Sequence, residues 1–221
     1  MSARAGKIAL VLAGWLLAPT CARAGQGAGT PAKPLTLTQV WTLDATYRDA
    51  EHGVSFRYPS VWEAGTAFGY HTPALSDYDE TEPIAGFGYE EGGFPRGDIV
   101  GPYTRTNLEG FGLVYSALPG ANLAACESRA AAVARTQEHT HTVLAGRSFT
   151  VYQTGEGGMS QWIYGELYVT YAPGTCYWFE TGIAGVVTDV ADGIKGLTRV
   201  QTRSIEAHLL EIMRSVRIAA K

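Results

Sequence analysis

The chain has 221 residues, of which 46% are hydrophobic and 17% are charged, and its formal net charge is −4. A hydrophobic fraction of this size is enough to build a core, which excludes a chain that is disordered over most of its length. The acidic balance argues against nucleic acid as a partner, because an acidic surface repels the phosphate backbone.

The first 24 residues have the three-part layout of a secretory signal peptide. Arg4 and Lys7 precede an uncharged, mostly apolar run, Ile8–Ala18, and the triplet Ala22-Arg23-Ala24 places small residues at a cleavage site. The apolar run is shorter than the roughly 20 residues that a membrane-spanning helix needs. We therefore predict cleavage after the triplet and a periplasmic or secreted protein. Lipid attachment at Cys21 is the alternative, although the residues before it depart from the usual lipobox.

Residues 25–34 are predicted to be a flexible leader, and residues 35–218 a single domain. The leader is rich in Gly, Ala, Pro and Thr and has little to bury. Alternating residue types over Leu35–Leu43 predict a first strand. Val54–Tyr58 predicts a second strand, which ends at Pro59 because proline has no N–H for a sheet ladder.

Residues 65–110 form a Gly-rich and Pro-rich segment without strong periodicity, apart from a plausible strand within Ile84–Tyr89. Long segments of this kind in a domain are often functional. If the aromatic residues are exposed beside the glycines, they form an apolar binding patch. An acidic run, Asp77–Glu82, could recruit Ca²⁺, but it lacks the spacing of an EF-hand loop and reads better as a solvated loop. The candidate binding-loop residues are Tyr70, His71, Asp77, Asp79, Phe87, Tyr89 and Phe94.

The second half of the domain is predicted as helix, β-meander and helix. Asn122 is a candidate N-cap for an Ala-rich helix over Leu123–Thr136. Thr198 and Gln201 form a capping box for the last helix, whose apolar residues recur at spacings of three and four. Residues 216–218 are predicted to add a short strand. The meander strands are predicted at Thr140–Leu144, Ser148–Thr154, Gln161–Tyr171 and Thr175–Ile183, with a type II turn at Pro173-Gly174.

Two cysteines remain after the signal peptide, Cys126 and Cys176. In an oxidising compartment an even pair predicts a disulfide. The bond closes a loop of about 50 residues, which is worth roughly 3–4 kcal/mol in the chain-entropy treatment. A reactive thiol is the alternative reading, but neither cysteine lies in a Cys-x-x-Cys pattern.

His139 and His141 are the clearest candidates for metal chemistry. On a strand they project to the same face, an arrangement that suits Zn²⁺ or Cu²⁺ if further ligands are present. A solvated connection carrying two imidazoles explains the same pattern. His208 is expected to lie on the surface of the last helix. Gly158–Trp162 lacks the final glycine of a hydrolase nucleophile elbow, and with no complete catalytic motif we predict no enzymatic activity and no cofactor.

The stretch Tyr47–Trp62 resembles the opening of PsbP-like domains, where Gly, a hydrophobic residue, Ser or Thr, Phe-x-Tyr-Pro and Trp follow one another. The turn Ala145–Arg147 with the aromatic strands after it, and the ending Leu209–Ile218, are similar to that family's meander and last helix. The resemblance implies an α+β fold, an α/β/α sandwich around a central antiparallel β-sheet. It also implies a non-enzymatic accessory, assembly or binding role. The Gly-rich segment and the cysteine pair depart from the family pattern.

Three hypotheses for function follow. The first is an exported, non-enzymatic accessory or binding protein whose partner is another protein or a small ligand in the cell envelope. The second is a metal-binding protein or metal-dependent enzyme that uses His139 and His141. The third is a secreted inhibitor or immunity-type protein, which the export signal and the acidic surface also permit.

Overall fold

A computed structural model describes residues 34–65, 83–90, 101–103, 106–158, 161–187 and 194–219, all within one unit, Ala32–Lys221. The helices in the described part are α1 (Leu37–Trp41), α2 (Leu123–Val133) and α3 (Arg199–Ser215). The strands are β1 (Ala45–Asp49), β2 (Val54–Tyr58), β3 (Glu63–Gly65), β4 (Ala85–Glu90), β5 (Leu108–Pro119), β6 (His139–Leu144), β7 (Arg147–Gly157), β8 (Gln161–Ala172), β9 (Thr175–Val186) and β10 (Arg217–Ile218).

The larger sheet has seven antiparallel strands in the order β3-β4-β5-β9-β8-β7-β6. Strands β6 to β9 pair in chain order and confirm the predicted meander. Gly174, in the turn between β8 and β9, has a φ of 84°, the positive value that the second residue of a Pro-Gly turn needs. Ala145 and Gly146 both have positive φ between β6 and β7, as a two-residue type I′ hairpin turn requires.

Different elements bury the two faces of the larger sheet. On one face, Tyr177, Phe179 and Ile183 of β9 join a core with residues of α1, α3 and a smaller sheet, β1-β2-β10. On the other face, Cys176 and Trp178 of the same strand join a second core with residues of α2. Successive side chains of a strand point to opposite faces, so β9 contributes to both cores. The chain is an α+β protein.

The predicted strand over Leu35–Leu43 is wrong, because this stretch contains the short helix α1. The Thr36 hydroxyl accepts a hydrogen bond from the Gln39 backbone N–H, and the Gln39 side-chain oxygen accepts one from the Thr36 backbone N–H. This capping box competes with the alternating pattern and sets a helical turn. It also places Val40 and Trp41, neighbours in sequence, together in the core, which a strand with opposite-facing neighbours does not do.

Two indole groups fasten α1 to the rest of the fold. The Trp62 indole N–H donates to the Val40 carbonyl oxygen at 2.8 Å, and the Trp41 indole N–H donates to the Tyr103 hydroxyl at 3.0 Å. Both indoles are buried and therefore need these partners. Trp41 also stacks on Phe111 of β5, with ring centroids 4.3 Å apart.

Helix α3 confirms its predicted cap and apolar stripe. Thr198 and Gln201 form the capping box, and Ile205, Leu209 and Ile212 are buried on one side of the helix. The expectation that His208 is a surface residue is wrong. Its ring stacks on Trp41 at a centroid distance of 4.7 Å and it is half-buried, because α1 lies against α3 at this point.

The predicted disulfide joins Cys126 of α2 to Cys176 of β9. Helix α2 begins as predicted, with the Asn122 side chain accepting from the Ala125 backbone N–H at 2.9 Å. It ends at Val133, three residues before the predicted end. Within the described ranges, no helix has the length and apolar character needed to cross a membrane.

Candidate functional site

A cleft lies between α3 and strands β7, β8 and β9, and its volume is about 510 Å³. The floor is formed by side chains that the three strands present to α3. The wall is formed by residues of α3 that lie one or two helical turns apart. The lining residues are Gln153, Tyr164, Gly165, Glu166, Tyr168, Thr181, Ile183, Arg203, Glu206, Ala207, Leu209 and Leu210.

Strand register explains why polar residues meet on the floor. Gln153, Glu166 and Thr181 lie directly opposite one another on β7, β8 and β9. Directly opposite residues of antiparallel strands share a face, so all three side chains point toward α3. On β8, Tyr164 and Tyr168 flank Glu166 at intervals of two residues and share that face.

The Glu166 carboxylate is held by two uncharged donors. The Gln153 amide donates to its Oε1 at 2.9 Å, and the Tyr168 hydroxyl donates to its Oε2. Tyr168 is only 3% exposed, and its burial, together with the Glu166 charge, raises the pKa of its phenol. Tyr168 is therefore a fixed hydrogen-bond donor that orients Glu166 toward the cleft.

Glu206 brings a second carboxylate to the cleft from α3. Partial burial raises the pKa of Glu206, the Glu166 charge raises it further, and the Arg203 guanidinium opposes the shift. Burial also raises the pKa of Tyr164, whose hydroxyl interacts with Thr202 and lies in the field of Glu206. Because the Glu166 charge disfavours ionisation of Glu206, a positive charge is favoured beside these carboxylates.

The prediction that Phe87 and Tyr89 line an exposed patch is wrong. They are 3% and 4% exposed in β4, and both belong to the core under the smaller sheet. The Tyr89 ring stacks on Phe111 at 5.3 Å, and the Phe87 ring meets Phe56 edge-on at 5.4 Å. Tertiary contacts bury these two side chains, because β4 is paired on both sides, by β3 and by β5. The other candidate loop residues, Tyr70, His71, Asp77, Asp79 and Phe94, lie outside the described residues.

Part of the Gly-rich segment is sheet rather than loop. Gly88 of β4 lies opposite Gly112 of β5, which lies opposite Gly182 of β9, which lies opposite Gly165 of β8. A Cβ atom on Gly112 would lie 2.7 Å from the Phe87 carbonyl oxygen, closer than side chains approach backbone. At this position glycine is needed for close approach of two strands.

His139 and His141 project to the same side of β6, as predicted, with ring centroids 5.1 Å apart. Both are exposed on the edge strand of the larger sheet. The Nδ1 atom of His141 lies 3.3 Å from the Thr150 hydroxyl, which donates to Glu127 of α2. In the part of the chain that the structure describes, no group of three or more His, Cys, Asp or Glu residues is arranged to hold a metal ion.

A second polar cluster, around Asp49, lies at the turn between β1 and β2. Asp49 Oδ1 accepts from the backbone N–H groups of Glu51 and His52 at 2.9 and 3.1 Å. Its Oδ2 lies 2.7 Å from His52 Nδ1 and accepts from the Tyr115 hydroxyl at 3.2 Å. The Tyr177 hydroxyl donates to the His52 carbonyl oxygen at 3.1 Å. The Tyr115 and Tyr177 contacts fasten the turn to the larger sheet, whereas the Glu51 and His52 contacts shape the turn itself, and we assign the cluster a structural role.

Sequence reasoning did not find the α3–β8 cleft. The alternation of Tyr164, Glu166 and Tyr168 is visible in the sequence within the predicted strand Gln161–Tyr171, but nothing in that strand singled these residues out as a site. Tyr168 is in the core, whereas Tyr164 is half-buried at the cleft. On α3, the sequence pattern that could have indicated the cleft lies at the positions beside the apolar stripe. Arg203 and Glu206 are three residues apart and share a helix face.

No protein-family model and no curated protein matches the chain. Similar solved structures include a protein from Bacteroides thetaiotaomicron, at 10% identity over 81% of this chain and a TM-score of 0.43. The Ran-binding protein Mog1p of Saccharomyces cerevisiae has 9% identity over 80% of this chain and a TM-score of 0.42. The chain spans 50% of the Bacteroides protein's length and 95% of Mog1p's. At these values the similarities carry no conclusion about function.

Proposed function

We propose that the protein is an exported, non-enzymatic accessory or binding module with a PsbP-like α/β/α arrangement, and that it binds its partner through the α3–β8 cleft. The observation that carries the proposal is the cleft itself. Its volume of about 510 Å³ falls within the roughly 300–1,000 Å³ of small-molecule and side-chain pockets.

The construction of the cleft supports a binding role. Its floor consists of three hydrogen-bonded strands and its wall of one helix, so the lining side chains are presented by rigid elements. The Glu166 carboxylate is already fixed by Gln153 and Tyr168 before any ligand arrives. A site whose groups are pre-oriented loses less entropy when it binds.

Two further observations support the rest of the proposal. The Cys126–Cys176 disulfide suits the oxidising compartment to which a signal peptide delivers a protein. The Tyr47–Trp62 stretch, which carries the PsbP-like resemblance, forms β1, β2 and the turn that leads to Trp62. Helices pack near both faces of the larger sheet, α2 on one and α3 on the other, which is the layering that the resemblance implies.

Site-specific cross-linking in the native cells tests the proposal. Ala207 lines the cleft and is exposed, and Ala132 is an exposed alanine on α2, away from the cleft. We expect a photo-cross-linking amino acid at position 207 to give a discrete adduct that excess purified protein competes away. The same amino acid at position 132 is expected to give none. Equal adducts at both positions would contradict a binding cleft, and a basic enzyme in the adduct would favour the inhibitor hypothesis.

A further inference from the structure

We infer that the α3–β8 cleft recognises a basic side chain, lysine or arginine, on a partner protein. This inference rests on the proposed binding function and specifies the chemistry of its ligand. It follows from the charges, hydrogen bonds and apolar surface of the cleft, taken in turn below.

Among the described residues, neither carboxylate of the cleft forms an ion pair within 4.0 Å. Glu166 comes from the floor and Glu206 from the wall. Across the described residues, the ion pairs within 4.0 Å are His52–Asp49 and His208–Glu211, and neither involves the cleft. Arg203 lowers the pKa of Glu206 only through its field, without an ion pair. The cleft therefore has two carboxylates, and the positive charges near it are Arg203, whose field acts on Glu206, and Arg214, whose field acts on Tyr168; neither is ion-paired with Glu166 or Glu206 within 4.0 Å among the described residues.

Hydrogen bonds hold Glu166 without neutralising it. The donors are an amide, from Gln153, and a phenol, from Tyr168, and neither carries a charge. Burial and the neighbouring carboxylate both disfavour the ionised form of Glu206. A cation bound between the two residues relieves their repulsion and compensates their partial desolvation, so the site gains most from a positively charged ligand.

The remaining lining selects a long organic cation over a bare metal ion. Ile183, Leu210 and Ala207 give the cleft an apolar surface, and Tyr164 adds an aromatic ring stacked on Trp162 at 5.4 Å. The methylene stems of lysine and arginine pack on such surface while their charged ends reach polar groups. A divalent ion needs several oxygen or nitrogen ligands at short range, and the cleft brings two carboxylates, with no group of three or more His, Cys, Asp or Glu residues arranged for a metal among the described residues.

A peptide titration tests the inference on the signal-free chain. The probes are the tripeptides acetyl-Gly-Lys-Gly-amide, its arginine counterpart, and the lysine peptide with an Nε-acetyl group, which keeps the stem and removes the charge. Backbone amide NMR spectra report where each probe binds. We expect the two cationic peptides to shift amides around Gly165 and Ala207, with roughly fivefold weaker binding of the acetylated peptide, the size typical of one partly exposed ion pair.

Charge-neutral variants provide the control. Glu206→Gln should weaken binding of the lysine peptide part of the way toward that of the acetylated peptide, because Glu166 still offers one carboxylate. Glu211→Gln, which changes an exposed carboxylate on the same helix outside the cleft, should leave binding unchanged. Each variant's spectrum also shows whether its fold is retained.

The possible failures are distinguishable. Equal affinity for the lysine and acetyl-lysine peptides overturns the inference about charge, as does the absence of amide shifts with any peptide. In either case, cross-linking at position 207 still tests the binding function separately. Peptide binding without a position-207 adduct instead overturns the proposed partner site. An unchanged affinity in Glu206→Gln also overturns the inference, because it removes the second carboxylate from recognition.

Discussion

At the scale of single residues, the Asp49 carboxylate contacts the Glu51 backbone N–H, the His52 backbone N–H and ring, and the Tyr115 hydroxyl. Burial raises the pKa of its carboxyl group, but hydrogen bonds from the His52 backbone and ring, the His52 charge and the Tyr115 hydroxyl outweigh burial and lower it. A carboxylate with a folded-state pKa below its unfolded value stabilises the fold at neutral pH. That contribution is lost as pH falls from the unfolded pKa of about 3.8 toward the lower folded value.

We therefore expect Asp49→Asn to lower the free energy of unfolding at pH 7 by roughly 1–3 kcal/mol, the cost of leaving buried partners unpaired. The difference from the natural protein should shrink below pH 4, where Asp49 becomes protonated. Urea unfolding at pH 7 and pH 3 measures both values. Tyr115→Phe, which removes only one donor, serves as the milder control. A difference that stays constant between the two pH values would contradict the role given to the charge.

At the scale of elements, α2 depends on its covalent link. The helix is Ala-rich and offers few large side chains to the sheet, and its buried residues are Cys126, Ala130, Ala131 and Val133. Two hydroxyl groups of β7 also hold it, because Tyr152 donates to the Glu127 carbonyl oxygen at 3.1 Å and Thr150 donates to the Glu127 carboxylate. The disulfide thus replaces the apolar contact that a helix with larger residues would make.

Replacing both Cys126 and Cys176 by alanine should lower the free energy of unfolding by roughly 3–4 kcal/mol, since the unfolded chain regains the freedom of a 50-residue loop. Urea unfolding with and without a thiol reductant provides the measurement. The reductant should bring the natural protein to the stability of the variant and leave the variant unchanged. If full reduction, checked by thiol titration, leaves the natural protein's stability intact, the disulfide does not hold α2 in the way described.

Elements set by local chemistry were predictable from the sequence, and those set by tertiary contacts were not. Asn122, the Pro173-Gly174 turn and the Thr198 capping box each act over four residues or fewer, and all three are confirmed. The helix α1 was missed because its capping box was hidden in an alternating pattern. Phe87 and Tyr89 were misplaced because their burial comes from β3, β5 and the smaller sheet, none of which is visible from the glycines around them.

The cleft depends both on local periodicity, which the sequence shows, and on tertiary packing, which it does not. Glu166 and Glu206 are 40 positions apart in the sequence and come from different kinds of element. The strand period predicts that Tyr164, Glu166 and Tyr168 share a face, and the helix period predicts that Arg203 and Glu206 do. That the two faces meet depends on the packing of α3 against the sheet, which periodicity does not determine.

At the scale of the whole molecule, the proposed export accounts for both the signal-like N-terminal residues and the disulfide. All described elements lie in the unit Ala32–Lys221, beyond the proposed signal of residues 1–24. Cleavage after Ala24 therefore leaves every described helix and strand intact. It also removes Cys21, so the mature chain keeps only Cys126 and Cys176, which are bonded to each other.

We expect protein isolated from the cell envelope of its native cells to begin at Gly25 and to contain no free thiol. Intact-mass measurement and N-terminal sequencing read the first point, and thiol titration of the denatured protein reads the second. A chain that begins at Cys21 with the added mass of lipid would instead establish membrane anchoring. Full-length protein in the cytoplasm with two or three free thiols would contradict export, because reducing conditions there keep cysteines unpaired.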